Sequence, residues 1–290
     1  MIIEIRAKTM LSTVPGGDGY FGHRYNFNIY RGCEHRCIYC DSRSECYGIE
    51  NFEDVLVKVN AIELLSQELP RKRVKGVVGT GSMSDPYTYA EKQYQLTRQA
   101  LSLLARYGFG VSLITKSDMV TRDGDVLTEV NRSFASVCFT LTTTDDELAR
   151  KVEPGAPSPT RRLAAMRMLA DQGLHVGVTL MPVLPFLEDH LDNIKAIVES
   201  AVDHGAQYIL PWFGMSMRDR QRSYFYARLD ELFPGLRRRY EARYGLSYGC
   251  PVPEAKRLQA EFDQLQQKFG FGTRVPVPQK EPQQTQLRLL

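Results

Sequence analysis

The 290-residue sequence has no apolar run near the roughly 18 residues of a membrane span, which argues against a membrane-embedded chain. Its opening, Met1-Ile2-Ile3-Glu4-Ile5-Arg6, has neither the apolar core nor the cleavage site of a secretory signal. Six cysteines show no paired framework, and a chain of this size buries a core without crosslinks. A reducing cytoplasm is the expected location. Charge of one sign is lacking too. With 37 basic and 34 acidic residues the net charge is +3, so charge alone does not call for nucleic acid. What remains is a globular composition, long enough for one large domain or two small ones.

Three of the six cysteines fall in one short run, Gly32-Cys33-Glu34-His35-Arg36-Cys37-Ile38-Tyr39-Cys40. Structural zinc takes four tetrahedral ligands, and an ordinary iron–sulfur cluster takes four cysteines. A cubane on three cysteines keeps one iron open to a small molecule. The C-x3-C-x2-C spacing therefore points to a reactive cluster on Cys33, Cys37 and Cys40. The competing interpretation is a non-catalytic zinc module that recruits Cys46 as fourth ligand.

Around this loop strands and helices alternate. Residues 1–24, with Val14-Pro15-Gly16-Gly17, read as an irregular leader. Strands are expected at Asn26–Tyr30, Val74–Gly79, Gly110–Thr115, Phe134–Thr142, Leu174–Met181 and Gln207–Trp212. Helices are expected at Asn51–Leu69 (capped by Asn51, with Pro70 beyond its end), Tyr89–Tyr107, Asp123–Asn131, Pro159–Gln172, Glu188–His204 and Ser216–Phe233. Six strand–helix units imply a parallel α/β sheet over residues 25–234. Periodicity does not separate a doubly wound sheet from an open, partial (β/α)6 barrel. Residues 235–272 read as a helical C-terminal extension, and 273–290, rich in Pro and Gln, as a flexible tail.

In a parallel barrel the site forms at the C-terminal ends of the strands. The unusual residues fall there: the three cysteines after the first strand, Thr80-Gly81-Ser82-Met83-Ser84-Asp85 after the second, Lys116 after the third, Thr140 to Thr144 after the fourth. Singly, each has a plainer explanation. A Gly-Thr-Gly-Ser turn connects a strand to a helix, a lysine is commonly a solvated surface group, and threonines favour strands. Together, close-approach glycines, small hydroxyls and a lysine suit a charged, polar ligand beside a cluster.

The cysteine loop, with the aromatic Tyr39 before its last cysteine, resembles the signature of radical S-adenosylmethionine (SAM) enzymes. Residues 25–215 resemble one branch, the spore photoproduct lyase-like group. The likeness is carried by Tyr30 to His35, Ser84-Asp85-Pro86-Tyr87 with Glu91, Thr115-Lys116-Ser117 with Arg122-Asp123, Thr140 to Thr143, and Glu153-Pro154-Gly155-Ala156-Pro157-Ser158 with Arg161-Arg162-Leu163.

The resemblance implies a partial (β/α)6 TIM-type barrel, a [4Fe-4S] cluster on Cys33, Cys37 and Cys40, and S-adenosyl-L-methionine on its open iron. It implies a reductant such as flavodoxin or ferredoxin. By position, Thr80, Gly81, Ser82 and Ser84 would meet the methionyl amino group, Lys116 its carboxylate, Thr140 the ribose, and Tyr39 the adenine. Two positions depart from the lyase. Ser82 stands where its hydrogen-donating cysteine would be, and Asp41 where a relay tyrosine would be. A serine O–H is far harder to break homolytically than a thiol, so lesion repair in DNA by that route is not expected. Cys46, Cys138 and Cys250 are the substitute donors to examine, with Cys250, on a C-terminal loop, the one carried forward. An enzyme modifying a protein, RNA or small molecule is the alternative. For nucleic acid, the segment Met217 to Tyr226 interleaves arginines with aromatics near the expected mouth.

Overall fold

A computed structural model describes residues 1–15 and 20–277. Its strands, in chain order, are β1 (Ile2–Ile5), β2 (Ser12–Thr13), β3 (Tyr25–Asn26), β4 (Tyr30–Arg31), β5 (Val55–Lys58), β6 (Val77–Thr80), β7 (Gly110–Thr115), β8 (Ala135–Thr140), β9 (His175–Leu180), β10 (Tyr208–Pro211), β11 (Gly214–Ser216) and β12 (Gly249–Pro251). The main sheet runs β10-β9-β8-β7-β6-β3-β2. From β3 to β10 all neighbours are parallel and sequential. A doubly wound sheet would reverse its order part-way. The unbroken order makes this a partial (β/α)6 barrel.

The strands read as they do because both faces are covered. All six residues of β8 are buried, as a parallel strand between helices and a filled interior requires. The helix Leu96–Tyr107 shows the complementary pattern. Leu96, Ala100, Leu101 and Leu104 form its buried stripe, and it stops at Gly108 (φ 70°), whose N–H returns to Ala105 O at 3.2 Å.

The N-terminal third departs from expectation. The stretch 51–60 is not the start of a helix. Val55-Leu56-Val57-Lys58 alternates buried and half-buried residues and forms β5, parallel to β1 and antiparallel to β4. β-branched residues on a half-covered surface favour that outcome. The helix is Ala61–Arg71, with Pro70 inside its last turn. Asn60, not Asn51, precedes it and exchanges two hydrogen bonds with the Ala7 backbone (2.8 and 2.9 Å). The leader is thus partly ordered, and the expected strand Asn26–Tyr30 splits between two sheets. A helix the periodicity did not show, Asp146–Val152, follows β8. Asp145 caps it, accepting from the N–H groups of Glu147 and Leu148.

The two ends of the chain close the open barrel. β2 covers the outer edge of β3. After the helix Ala255–Phe269, Gly272 pairs with β10 through Ile209 N–H to Gly272 O (2.9 Å) and Gly272 N–H to Gln207 O (2.8 Å). Residues 273–277, expected in the tail, continue across the opening. Val275 is buried and donates to Tyr20 O. The remainder of the expected tail, 278–290, lies outside the described residues. The C-terminal extension comprises Leu236–Tyr244, β12 and Ala255–Phe269, so it is not wholly helical. No helix among the described residues is long and apolar enough to cross a membrane.

Candidate active site

The loop after β3 and β4 carries the cysteines through two reversals. Gly32 (φ 79°) and Arg36 (φ 53°) adopt left-handed conformations, Arg36 N–H turns back to Cys33 O, and Cys40 N–H to Cys37 O (3.3 Å). Neighbouring strand ends brace the loop. Ser84 Oγ donates to Gly32 O at 2.5 Å. Asp85 pairs with buried His35 at 3.3 Å and accepts from Thr115 Oγ1 and the Lys116 N–H, both at 2.7 Å. Burial works to raise the Asp85 carboxyl, yet His35 and these donors bring it to about 2. Gly155 N–H donates to His35 O, and a Cβ on Gly155 would lie 2.1 Å from Glu34 O, so only glycine fits beneath the loop. Buried Glu91 takes the Tyr30 hydroxyl and, at 2.7 Å, the Arg122 guanidinium. Several residues that carried the family likeness, among them Ser84, Asp85, Thr115 and Gly155, are therefore braces for the cysteine loop.

Above the strand ends lies a cavity of about 410 Å³. Tyr39, Cys40, Gly81, Ser82, Lys116 and Thr140 line it. Thr80 is buried beside it and Ser84 is committed to the Gly32 carbonyl, so neither reaches its wall. Thr140 Oγ1 shares a hydrogen bond with Thr179 Oγ1 at 2.9 Å, and Thr179 also lines the cavity. Gly81 (φ 102°) lets the β6 turn pass close to β7, since a Cβ there would lie 2.0 Å from Ile114 O.

Cys250 is not brought to the cavity. It is 1% exposed, packs with Met217 and Tyr240, and its thiol faces the Ser247 carbonyl at 3.7 Å. Burial pushes that thiol up to about 11. This overturns its selection as hydrogen donor. If the chain cleaves SAM as the resemblance implies, Cys250→Ala is expected to leave that activity within about twofold of the parent in a deoxyadenosine assay, with at most a small packing cost. Cys138 is core, and Cys46 is exposed on the turn Glu45–Tyr47.

Two features of the site were not legible beforehand. The first is Glu153, buried between Tyr39, Lys116 and Arg162. Burial works to raise its carboxyl, but Arg162 and Lys116 hold it below the usual range. Nearby Glu188 behaves oppositely. Burial raises it well above the ordinary value, and it accepts from Thr142 Oγ1 and Leu184 N–H, both at 2.8 Å.

The second is Asp41, which lines the cavity and is clasped by Arg218 through both carboxylate oxygens (2.5 and 3.2 Å) and by Tyr47 at 3.1 Å. The arginines read as a nucleic-acid segment are half-buried, and each holds groups of this chain. Arg220 holds the carbonyls of Arg43 and Ile49, and Arg222 those of Met217, Gly245 and Ser247. Phe225 and Tyr226 are buried, and Tyr224 stacks beneath Arg43 at 3.6 Å. That segment clamps the C-terminal extension to the cysteine loop, and its arginines spend donors on that structural task.

The donor set fits a cluster. Three soft sulfur ligands share one loop, and each thiol lies close enough to perturb another electrostatically. Among the described residues no three His, Cys, Asp or Glu side chains are already drawn together around one point.

The family model of the Radical SAM superfamily matches residues 27–203. The chain belongs to the radical SAM superfamily. An uncharacterised protein of Mycobacterium tuberculosis is 34% identical over 287 residues, covering 95% of this chain and 83% of its own. The "Radical SAM Nalpha-GlyT isomerase" of Pseudomonas phage M6 is 24% identical over 181 residues, 62% of this chain and 37% of its own. Among solved structures, spore photoproduct lyase complexed with dinucleoside spore photoproduct superposes with a TM-score of 0.67 at 15% identity, covering 92% of this chain and 79% of the lyase. That likeness is one of fold, and it spans nearly the whole chain. Enzymes of this superfamily use a [4Fe-4S] cluster and S-adenosylmethionine.

Proposed function

We propose that Cys33, Cys37 and Cys40 hold a [4Fe-4S] cluster and that the adjoining cavity takes S-adenosylmethionine, in an enzyme of the spore photoproduct lyase-like group. The observation that carries this is the convergence of Cys40, Ser82, Lys116 and Thr140 on one cavity wall at the strand ends. When bound, these groups supply reductive cleavage of the sulfonium and a 5′-deoxyadenosyl radical for hydrogen abstraction. The chain's own residues bind and orient. Lys116 offers its ammonium to the carboxylate, and Ser82, Thr140 and Thr179 offer hydroxyls to the amino group and ribose. Phe21, Ile114, Met181 and Met215 add apolar surface to a wall that also carries Asp41, Ser42 and Ser216. Anaerobic iron–sulfide reconstitution tests the reading. It should give a brown protein with about four irons per chain and an EPR signal that changes on adding SAM. A colourless zinc protein would end it.

A second reading concerns the substrate. A cavity of about 410 Å³ sits near the low end of single-ligand pockets, roughly 300–1,000 Å³. The cofactor therefore fills it, and the substrate is held at the mouth. There Trp212 and Tyr248 line the cavity while remaining 46% and 56% exposed. The exposed Trp212 indole, beside a Tyr248 ring that carries the Arg218 guanidinium over one face at 5.1 Å, suits a planar ring, and we take that ring to be a nucleobase. The printed names of the phage isomerase and of the lyase–dinucleoside complex support the choice. Trp212 is the chain's single tryptophan, so its fluorescence reports the mouth directly. Titration with a thymidine dinucleotide should quench it. Tyr248→Ala should weaken that binding about tenfold, as stacking contributes roughly 1–3 kcal/mol per base. Emission unchanged by the dinucleotide would sink this reading and leave the radical chemistry standing.

A further inference from the structure

Three residues placed at the cofactor by family likeness, Tyr39, Lys116 and Thr140, are tied to one side chain that the likeness left without a role. Glu153 is 2% exposed and follows the short helix Asp146–Val152. Its Oε1 accepts the Tyr39 hydroxyl and lies 3.8 Å from Lys116 Nζ. Its Oε2 pairs with Arg162 at 2.5 Å. Arg162, itself 1% exposed, donates onward to Thr140 O at 3.0 Å and Pro157 O at 2.7 Å. The cysteine loop, the end of β7 and the end of β8 thus meet on one buried carboxylate.

The two cations are held differently. Arg162 is bonded closely on both sides. Lys116 Nζ makes no hydrogen bond among the described residues, its pair with Glu153 is long, and its side chain is 17% exposed where it borders the cavity. Glu153 carries one negative charge between two cations, and the Cys37 and Cys40 thiols also face Lys116, so what the geometry leaves open to an anionic ligand is the cavity side of the ammonium. The Coulomb pull of a carboxylate behind the ammonium fixes its direction without using up its donors.

We infer that Glu153 is a positioning residue that aims Lys116 into the cavity and so sets the affinity for the carboxylate end of S-adenosylmethionine. The inference rests on the cofactor reading above. Its alternative is that Glu153 only neutralises Arg162.

Equilibrium dialysis of SAM against the reconstituted holoenzyme, with iron content and circular dichroism measured in parallel, separates the two. Glu153→Asp keeps the charge but withdraws the carboxylate by one methylene, and Glu153→Gln removes the charge. Both are expected to bind SAM about tenfold or more weakly, the scale of one charge-assisted hydrogen bond, with iron content and helicity unchanged. Lys116→Ala should weaken binding similarly, and Lys116→Ala with Glu153→Asp should be no weaker than Lys116→Ala alone. Full affinity in Glu153→Asp, or additive losses in the double variant, would overturn the inference. So would loss of folding in Glu153→Asp, since the carboxylate would then be a stability element only. A parent holoenzyme that binds no SAM would instead overturn the cofactor reading.

Discussion

Alanine at Cys33, Cys37 or Cys40 is expected to reduce formation of 5′-deoxyadenosine to background in a dithionite-driven assay and to remove the EPR signal of the reduced, reconstituted protein. The effect is all-or-none because the loop holds no spare sulfur. Cys46 lies on the exposed turn Glu45–Tyr47, Cys138 is enclosed in the barrel interior, and Cys250 is packed behind β11. None lines the cavity that Cys40 borders. Two thiolates do not hold a cubane that normally takes three or four. Circular dichroism should stay close to the parent's, since Gly32, Glu34 and His35 keep their contacts with Ser84, the Ala90 backbone and Asp85 when a thiol is removed. Cleavage surviving in any one of the three variants would show that cysteine is not a ligand.

The second large effect is on stability. Arg162→Met is expected to cost about 3–5 kcal/mol, read as a lower urea midpoint at unchanged slope. Arg162 and Glu153 are both almost fully buried. Removing the guanidinium leaves the carboxylate in a low-dielectric interior with the neutral Tyr39 hydroxyl and the distant Lys116 ammonium, and strips Thr140 O and Pro157 O of their donor. The double variant Arg162→Met with Glu153→Gln should recover much of that loss, because a neutral pair of similar volume replaces the ionic one. It should still bind SAM weakly, as Lys116 would remain unaimed. Stability of Arg162→Met equal to the parent's would mean that water reaches the pair.

The contrast between these two predictions follows what could be read from residue order. The cysteine loop is a local object. Its ligand type and spacing lie within eight residues, and so does the chemistry they suggest. Buried parallel strands announce themselves locally as well, and β7 was placed at its true bounds, Gly110–Thr115. The stretch 51–60 failed for the opposite reason. Val55 to Lys58 is ambiguous over so short a run, and what decides it is pairing with β1, more than fifty residues earlier in the chain. The arginines at 218, 220 and 222 failed similarly. Next to aromatics they look like a stacking and phosphate-binding strip; the fold gives Arg218 a carboxylate partner in Asp41, 177 residues away, and Arg220 and Arg222 backbone carbonyls, none of them visible in residue order.

The sequence by itself determined the strand–helix alternation and the superfamily, and it is what nominates the three cysteines as ligands, because each rests on side-chain type at short, regular spacing. Tertiary structure alone decided that the six strands run in unbroken order, that the chain ends seal the barrel, that Cys250 is enclosed, and that Glu153 gathers Tyr39, Lys116 and Arg162. These depend on which groups share a low-dielectric interior after the chain closes. Distance through space sets the energy of a buried charge, and separation along the chain does not specify it.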